Sequence, residues 1–476
     1  MDKLIGREKE CEALQKMVSS NKSELVVVYG RRRIGKTFLV RQFFNDRFTF
    51  HFTGLHNVNT KIQLQAFASS LQRHGHYSLP PTPGNWQEAF QHLEDMIARM
   101  PTKKRKVIFL DEMPWMDTPK SGFVAALEAF WNSWAALRDD ILLVACGSAT
   151  SWMVRKLLRN QGGLFNRVTG QIYLQPFTLS ETEEYLTSRG CTWDRFQIVQ
   201  CYMTLGGVPF YLSLLNLRNS LAQNIDELFF SSINAPLRNE INELYHSLFH
   251  NPLPYLEVVR LLAGKREGFT RSEIIDRTHL QGATLTMILD DLERCDFIVG
   301  YQKYGNKVKN ILYRVIDFYT LFHHHFVENN RGKDPHYWQH LIGKPQQTSW
   351  QGFSFELVCL LHLSQIKQAL GIAGISTQAC SWRSAEKNTN YQIDLLIDRA
   401  DRIINLCEMK FSNTPYVVTK DYADHLRTRM AAFAAESKTR KGLVVTMVTT
   451  YGVAPGKNNG VVGNEVLMDD LFRKKP

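Results

Sequence analysis

The sequence predicts an α/β chain of several domains, opening on a parallel β-sheet wrapped by helices. Three observations carry that expectation. Apolar runs of strand length ("ELVVVYG", "KVIFLDE", "ILLVACGS") alternate with helical stretches through the first third, as strands buried on both faces do. At 476 residues the chain holds two to four domains of ordinary size. Beyond Pro236 the pattern changes twice, first to short helices with a hairpin, then to a helix followed by alternating strands.

Composition narrows the class. An apolar fraction of 44% leaves enough chain to bury more than one core and excludes a disordered protein. Lys and Arg outnumber Asp and Glu by 57 to 46, a formal charge of +11 that suits an anionic partner. The eight cysteines are scattered, never form C-x-x-C, and read as free thiols of a reducing compartment. The opening "MDKLIGREKECEAL" has no apolar core of signal-peptide length, and no run approaches the ~18 apolar residues that span a membrane. A cytoplasmic protein without a membrane partner is expected.

The first strand runs into Gly30-Arg31-Arg32-Arg33-Ile34-Gly35-Lys36-Thr37, which fits G-x-x-x-x-G-K-[ST] between a strand and the helical "KTFLVRQFF". Glycines let such a loop wrap phosphate oxygens with backbone N–H groups. Lys36 then reaches the β- and γ-phosphates, and the Thr37 hydroxyl holds Mg²⁺. A second strand, residues 107–110, ends in Asp111 and Glu112. Paired carboxylates there suit a cation: Asp111 orients the metal's water shell and Glu112 polarises the attacking water. A third strand ends in Gly147-Ser148, where Ser148 senses the γ-phosphate or is a plain turn serine. Arg167, in "LFNRVTG", reaches a phosphate in its own or a neighbouring subunit, or caps a helix.

In order, "LIGREKECEAL", "GRRRIGKT", "IFLDEMPWM", "CGSATSWM", "LFNRVTGQIYLQPF" and "LGGVPFYL" resemble the archaeal-type ATPases found in archaea and bacteria. These belong to the AAA-like, signal-transducing (STAND) class of P-loop NTPases. The likeness covers about the first 235 residues. It implies ATP rather than GTP, since the guanine-reading N-K-x-D is absent, and it places "IGREKE" near the adenine. Gly206-Gly207-Val208-Pro209 resembles the G-x-P signature of that class. The expected division is an ATPase core over 1–170 and a helical lid over 171–235. The three arginines of the loop are expected to face a neighbouring domain or a nucleic-acid backbone rather than the ligand.

Residues 236–335 follow the order of a winged helix-turn-helix: a helix, a short helix opened by Thr270, a Leu280-Gln281-Gly282 turn, a longer helix to about Arg294, and two strands around Gly305-Asn306. The helix from Ala283 is the one a DNA groove would receive. Its outward candidates, Asp290, Asp291 and Glu293, oppose phosphates, so a structural relay is expected there, with "YQKYGNKVKN" as the basic wing.

In 336–476, "GFSFELVCLLHLSQIKQAL" reads as an apolar helix carrying one acid, Glu356. "YQIDLLIDR" and "IINLCEMKFS" read as a hairpin. Period two puts Glu408 and Lys410 on one face, with Asp394 close on the paired strand. Two carboxylates and a lysine on apolar strands form either a divalent-metal site or a surface ion pair. The pattern resembles the PD-(D/E)xK nucleases, a restriction-endonuclease-like α/β fold. That likeness implies Asp394 as the aspartate, Glu408-Met409-Lys410 as the ExK and Glu356 as a further ligand, with Mg²⁺ or Mn²⁺ as a second metal and Lys410 acting in catalysis. Gln392-Ile393 stands where the motif writes proline. "HLRTRMAAFAAESKTRKG" is either a basic helix lining the groove or a solvated face.

The expected function is an Mg-ATP-driven switch controlling a tail that binds or cuts nucleic acid, DNA before RNA, in defence or DNA processing. The other reading is a signalling or scaffold ATPase whose inert tail binds a protein or nucleic acid. A homo-oligomer is expected if Arg167 acts in trans.

Overall fold

The computed structural model describes residues 4–75, 82–100, 104–148, 150–159, 163–164, 166–305, 311–330, 333–384 and 391–474. The chain divides into two compact units, residues 1–176 with 247–250, and residues 177–246 with 251–476. The segment expected as a lid, 171–235, therefore falls mostly in the second.

The first unit is built on five strands: β1 Glu24–Tyr29, β2 Phe50–Thr53, β3 Lys106–Asp111, β4 Ile141–Gly147 and β5 Gly170–Tyr173. Their order is β2-β3-β4-β1-β5, with every neighbouring pair parallel. β1, β3 and β4 are apolar along their length because both faces are covered. Leu25 and Val27 enter one core with Phe50, Phe67 and Trp86, while Val26 and Val28 enter the other with Leu14, Leu39 and Val40. One strand, β4, separates the loop-bearing β1 from the acid-bearing β3. The C-terminal ends of β1, β3 and β4 thus gather at one rim, where ligands of open parallel sheets bind.

The second unit begins with helices Leu179–Ser188 and Arg195–Leu205, each opened by a capping box, Thr178 with Glu181 and Asp194 with Gln197. Gly206 closes the latter helix at φ 63°. Gly207 packs where a Cβ would lie 1.9 Å from the Phe177 carbonyl oxygen. Further on, helices Leu253–Ala263, Arg271–Thr278 and Gly282–Arg294 accompany the strands β6 Phe269–Thr270, β7 Ile298–Tyr301 and β8 Leu312–Val315, ordered β6-β8-β7 and antiparallel. Thr270 caps its helix through Glu273. Asp291 does not face outward as expected. It is buried and accepts a 2.8 Å hydrogen bond from the Tyr255 hydroxyl. Half of the wing, residues 306–310 of 301–310, lies outside the described residues.

The last sheet, β13-β12-β11-β10-β9, is mixed: β9 Thr377–Arg383, β10 Gln392–Arg399 and β11 Ile403–Lys410 are antiparallel, while β12 Gly442–Thr449 and β13 Asn464–Leu467 add in parallel. The apolar helix expected before it is two pieces, Pro345–Leu361 and Leu363–Ala369. They break at His362, whose Nε2 accepts from the Leu179 backbone N–H at 3.0 Å. Among the described residues no helix is long and apolar enough to cross a membrane. All eight cysteines are free thiols, six of them buried.

Candidate nucleotide site and a second carboxylate cluster

β1 delivers the chain to Gly30, whose φ of 145° and closeness to β5 admit no side chain: a Cβ would stand 2.2 Å from the Leu174 carbonyl oxygen. Gly35, at φ 87°, turns the chain into the helix Lys36–Phe43, whose first N–H groups have no partner within the helix. Between them Arg31 and Ile34 are buried, while Arg32 and Arg33 are half-buried. Arg31, at 1% exposure, is therefore not a cation offered to solvent. Lys36 is buried too, its Nζ donating to the Arg31 carbonyl at 2.7 Å, so the ammonium already lies across the loop. The guanidinium of Arg7, from "IGREKE", donates to the carbonyls of Gln175 at 2.9 Å and Ile34 at 3.5 Å. That segment is thus tied to the loop.

Asp111 and Glu112 stand at the end of β3. The Thr37 hydroxyl donates to both Asp111 carboxylate oxygens, at 3.1 and 3.0 Å. Burial, and then the charge of Glu112, push the Asp111 carboxyl above its ordinary range. A hydroxyl and a carboxylate side by side are hard oxygen donors, so the pair fits Mg²⁺ held partly through water. Glu112 sits in the left-handed region, φ 45° and ψ 47°. There it accepts from Ser148 twice, from the hydroxyl at 2.6 Å and the backbone N–H at 3.1 Å. Because β4 lies between β1 and β3, Ser148 at its tip is delivered between loop and carboxylates.

Arg167 is a different case. It is exposed and precedes β5, which runs parallel to β1 with Gly170 level with Val26. Continuing that register sets Arg167 level with Ser23, a strand's length from Gly30 and roughly 20 Å at 3.3 Å per residue. The sheet places it at the rim opposite its own phosphate loop, and the own-subunit alternative is corrected on that ground.

In the second unit β10 and β11 pair Leu395 with Cys407, and one further step sets Asp394 level with Glu408. A register shift in the β9–β10 pairing falls between Ile393 and Leu396, the stretch that holds Asp394. Glu408 pairs with Lys410 at 2.9 Å and with Arg429 of the helix Lys420–Ser437. Burial alone would raise the Glu408 carboxyl, but Arg429 and Lys410 hold it at about 2. Glu356, on the helix Pro345–Leu361, is buried and pairs with Arg266. Burial, then the neighbouring charge of Asp394, push it up to about 7 against that pairing. Asp394 is likewise raised by burial, with Arg314 and Arg266 opposing. Arg314 is 7% exposed, and its Nε and Nη2 make no hydrogen bond among the described residues. The three carboxylates are oxygen donors of the kind a divalent cation takes, but their oxygens do not all close to within 4.8 Å of one another as the expected metal site requires, and four cations already balance them.

Arg7, Arg266, Arg314 and Arg429 were not singled out in the sequence. Two segments carried a signal: "IGREKE", which holds Arg7, and "HLRTRMAAF", a basic helix on which Arg429 stands. Arg266 and Arg314 come from elements 90 and 42 residues before Glu356, a pairing no local pattern announces.

Comparison with known proteins bears on the ATPase domain that holds the first of these sites. A family described as "ATPase domain predominantly from Archaea" matches residues 4–215. The uncharacterized protein MJECL04 of Methanocaldococcus jannaschii is 24% identical over 330 residues, 68% of this chain and 69% of that protein. The uncharacterized ATP-binding protein MJ0423 of the same organism is 40% identical over 43 residues, 9% of this chain and 73% of that protein. Among solved structures the Walker-type ATPase PABY2304 of Pyrococcus abyssi is similar in fold, with a TM-score of 0.50 at 17% identity over 67% of this chain and 96% of that one. With its loop, its paired acids and its strand order, the chain belongs to a P-loop ATPase family, its ATPase domain of the type found predominantly in Archaea.

Proposed function

We propose that the chain is an Mg-ATP-dependent switch that governs a winged-helix and PD-(D/E)xK-like tail acting on nucleic acid. In the ATPase domain Lys36 and the loop N–H groups hold the triphosphate. Thr37 and Asp111 seat the Mg²⁺, which supplies charge neutralisation at the β- and γ-phosphates when bound. Glu112 orients the attacking water, Ser148 couples it to the γ-phosphate, and Arg167 acts on a neighbouring subunit's nucleotide. Mixing Lys36→Ala with Arg167→Ala, each inactive alone, should then restore turnover; no restoration removes Arg167 from the mechanism.

The observation that carries the tail's role is the placing of Asp394 and Glu408 abreast, with Lys410 two residues on and Glu356 beside Asp394. A cleft of about 110 Å³ next to them has a mixed lining, the cations Lys265, Lys303, Arg314 and Arg383 against the acids Glu267, Glu273 and Asp394, with Lys265 paired to Glu273. Arg266 withholds Glu356 from a metal, so cleavage requires Arg266 to leave. The same four cations favour a second reading, an inert tail in which the carboxylates are structural partners.

One experiment separates the two. Plasmid, single-stranded DNA and RNA are incubated with the protein and Mg²⁺ or Mn²⁺, with and without ATP, alongside Lys36→Ala, Arg266→Ala and Lys410→Ala. The switch predicts cleavage lost in Lys410→Ala, raised in Arg266→Ala, and no longer responsive to ATP in Lys36→Ala. No cleavage by any of them, with nucleic acid still bound, selects the inert tail.

A further inference from the structure

The run "HHHFVE", residues 323–328, belongs to neither site. Its backbone leaves the α-helix Phe318–Phe322 for a π-helical stretch, His323–Val327, before Glu328–Asn330. Such wide turns recur at functional sites, because they change which side chains of one helix converge. Here one donor atom from each of His323, His324 and Glu328 lies within 4.8 Å of the other two.

The hydrogen bonding of the two imidazoles points further. His323 is 7% exposed, and its Nε2 lies 3.0 Å from the Arg238 carbonyl oxygen. A carbonyl only accepts, so Nε2 carries the hydrogen and Nδ1 is left with a bare lone pair. That Nδ1 is buried and has no hydrogen-bond partner. A histidine whose far N–H is fixed on a carbonyl, with its other nitrogen bare, is arranged as metal-ligating histidines are. The His324 side chain is 6% exposed, with Nδ1 3.2 Å from Glu328 Oε2 and a buried Nε2 that also lacks a hydrogen bond. The other carboxylate oxygen, Oε1, accepts from Arg260 at 2.6 Å, which orients Glu328 with Oε2 toward the imidazoles. Arg260 is 68% exposed, so solvent screens its charge from a bound cation.

We infer that His323, His324 and Glu328 form a site for a borderline transition-metal dication, Zn²⁺ by preference, with a fourth position open to water. Two nitrogens and one oxygen exclude Mg²⁺ and Ca²⁺, which take all-oxygen shells. Tetrahedral donors around Zn²⁺ stand about 3.3 Å apart at Zn–N distances near 2.0 Å, so from separations within 4.8 Å the group closes by no more than about 1.5 Å on binding. With all three ligands inside six residues, the ion pins the wide turn of this helix.

The test uses the full chain, free of any purification tag and stripped with chelator, titrated with CoCl₂ and followed by visible absorption. One equivalent should give the d–d bands of four-coordinate Co²⁺ without a thiolate charge-transfer band, and ZnCl₂ should displace it. Glu328→Gln and His324→Asn should each weaken binding at least tenfold. Asp394→Asn/Glu408→Gln, in the other carboxylate cluster, should leave it unchanged. Absence of the bands from folded protein, or full binding in His324→Asn/Glu328→Gln, overturns the site. So does loss of the bands in Asp394→Asn/Glu408→Gln.

Discussion

Replacing Asp111 by Asn should separate the protein's stability from its nucleotide chemistry. Asp111 is 3% exposed, and burial followed by the charge of Glu112 raises its carboxyl above the usual range. For a raised acid, the stabilising contribution is complete below the ordinary carboxylate pKa and is lost as pH rises through the raised one. At neutral pH the ionised side chain is therefore a cost to the nucleotide-free fold. Asn keeps the shape, still accepts from Thr37 through its one oxygen, and removes the charge. Without nucleotide, the Asp111→Asn midpoint at pH 7.5 should equal or exceed that of the parent, the gap closing toward pH 4.

With Mg-ATP the order should reverse. A ligand at a hundred times its Kd adds about 2.7 kcal/mol, which raises the Tm of a domain this size by roughly 5–10 °C. The variant should lose the Mg²⁺-dependent part of that shift and keep only what the loop N–H groups and Lys36 supply. Thermal melts of both proteins with ATP alone, Mg²⁺ alone and both together read this directly. A variant that melts well below the parent without nucleotide, yet keeps the whole Mg-ATP shift, would refute Asp111 as the metal's seat.

Three further outcomes follow from the same domain. Asp140 accepts from Lys106 at 2.7 Å and from Arg138 at 2.8 Å; burial would raise it, but those bonds hold it at about 2. Its contribution, about 1–2 kcal/mol after solvent screening, is present above pH 4 and lost as pH falls toward 2. Asp140→Asn should lose that acid dependence and, with Lys106 buried and deprived of its carboxylate, cost about 2–4 kcal/mol in urea unfolding. Gly30→Ala should cost about 2–4 kcal/mol, since its Cβ meets the Leu174 carbonyl in a left-handed backbone, and nucleotide binding should fall with it. Ser148→Ala removes the hydroxyl that holds Glu112, and kcat should drop tenfold or more with KM within about threefold. Unchanged kcat makes Ser148 an ordinary turn residue.

The phosphate loop was legible because its chemistry is carried by consecutive backbone groups. Gly30, Gly35, Lys36 and Thr37 are read off one stretch, and the strand before and helix after it can be counted in the same window. The acids at the end of β3 were legible as chemistry but not as geometry. That Thr37 meets both Asp111 oxygens, and that Ser148 clamps Glu112, depends on β4 lying between β1 and β3, a crossover that periodicity cannot order. The same sheet decides Arg167, since only the parallel register of β5 sets it at the far rim. Asp291 was misread because acids on a helix face read as solvated until a partner such as the Tyr255 hydroxyl is seen. In the tail, the two-residue period found Glu408 and Lys410 and brought Asp394 near, while the arginines answering those acids arrive from remote elements. No local pattern announces the π-helical turn at His323.

The most direct measurement is a calorimetric titration of Mg-ATP into the folded 476-residue chain, run beside Lys36→Ala. One nucleotide per chain for the parent, with binding weakened by one to two orders of magnitude when the loop's ammonium is removed, is the expected result. No heat from well-folded parent protein, or superimposable isotherms for the two, would contradict a triphosphate seated on residues 30–37.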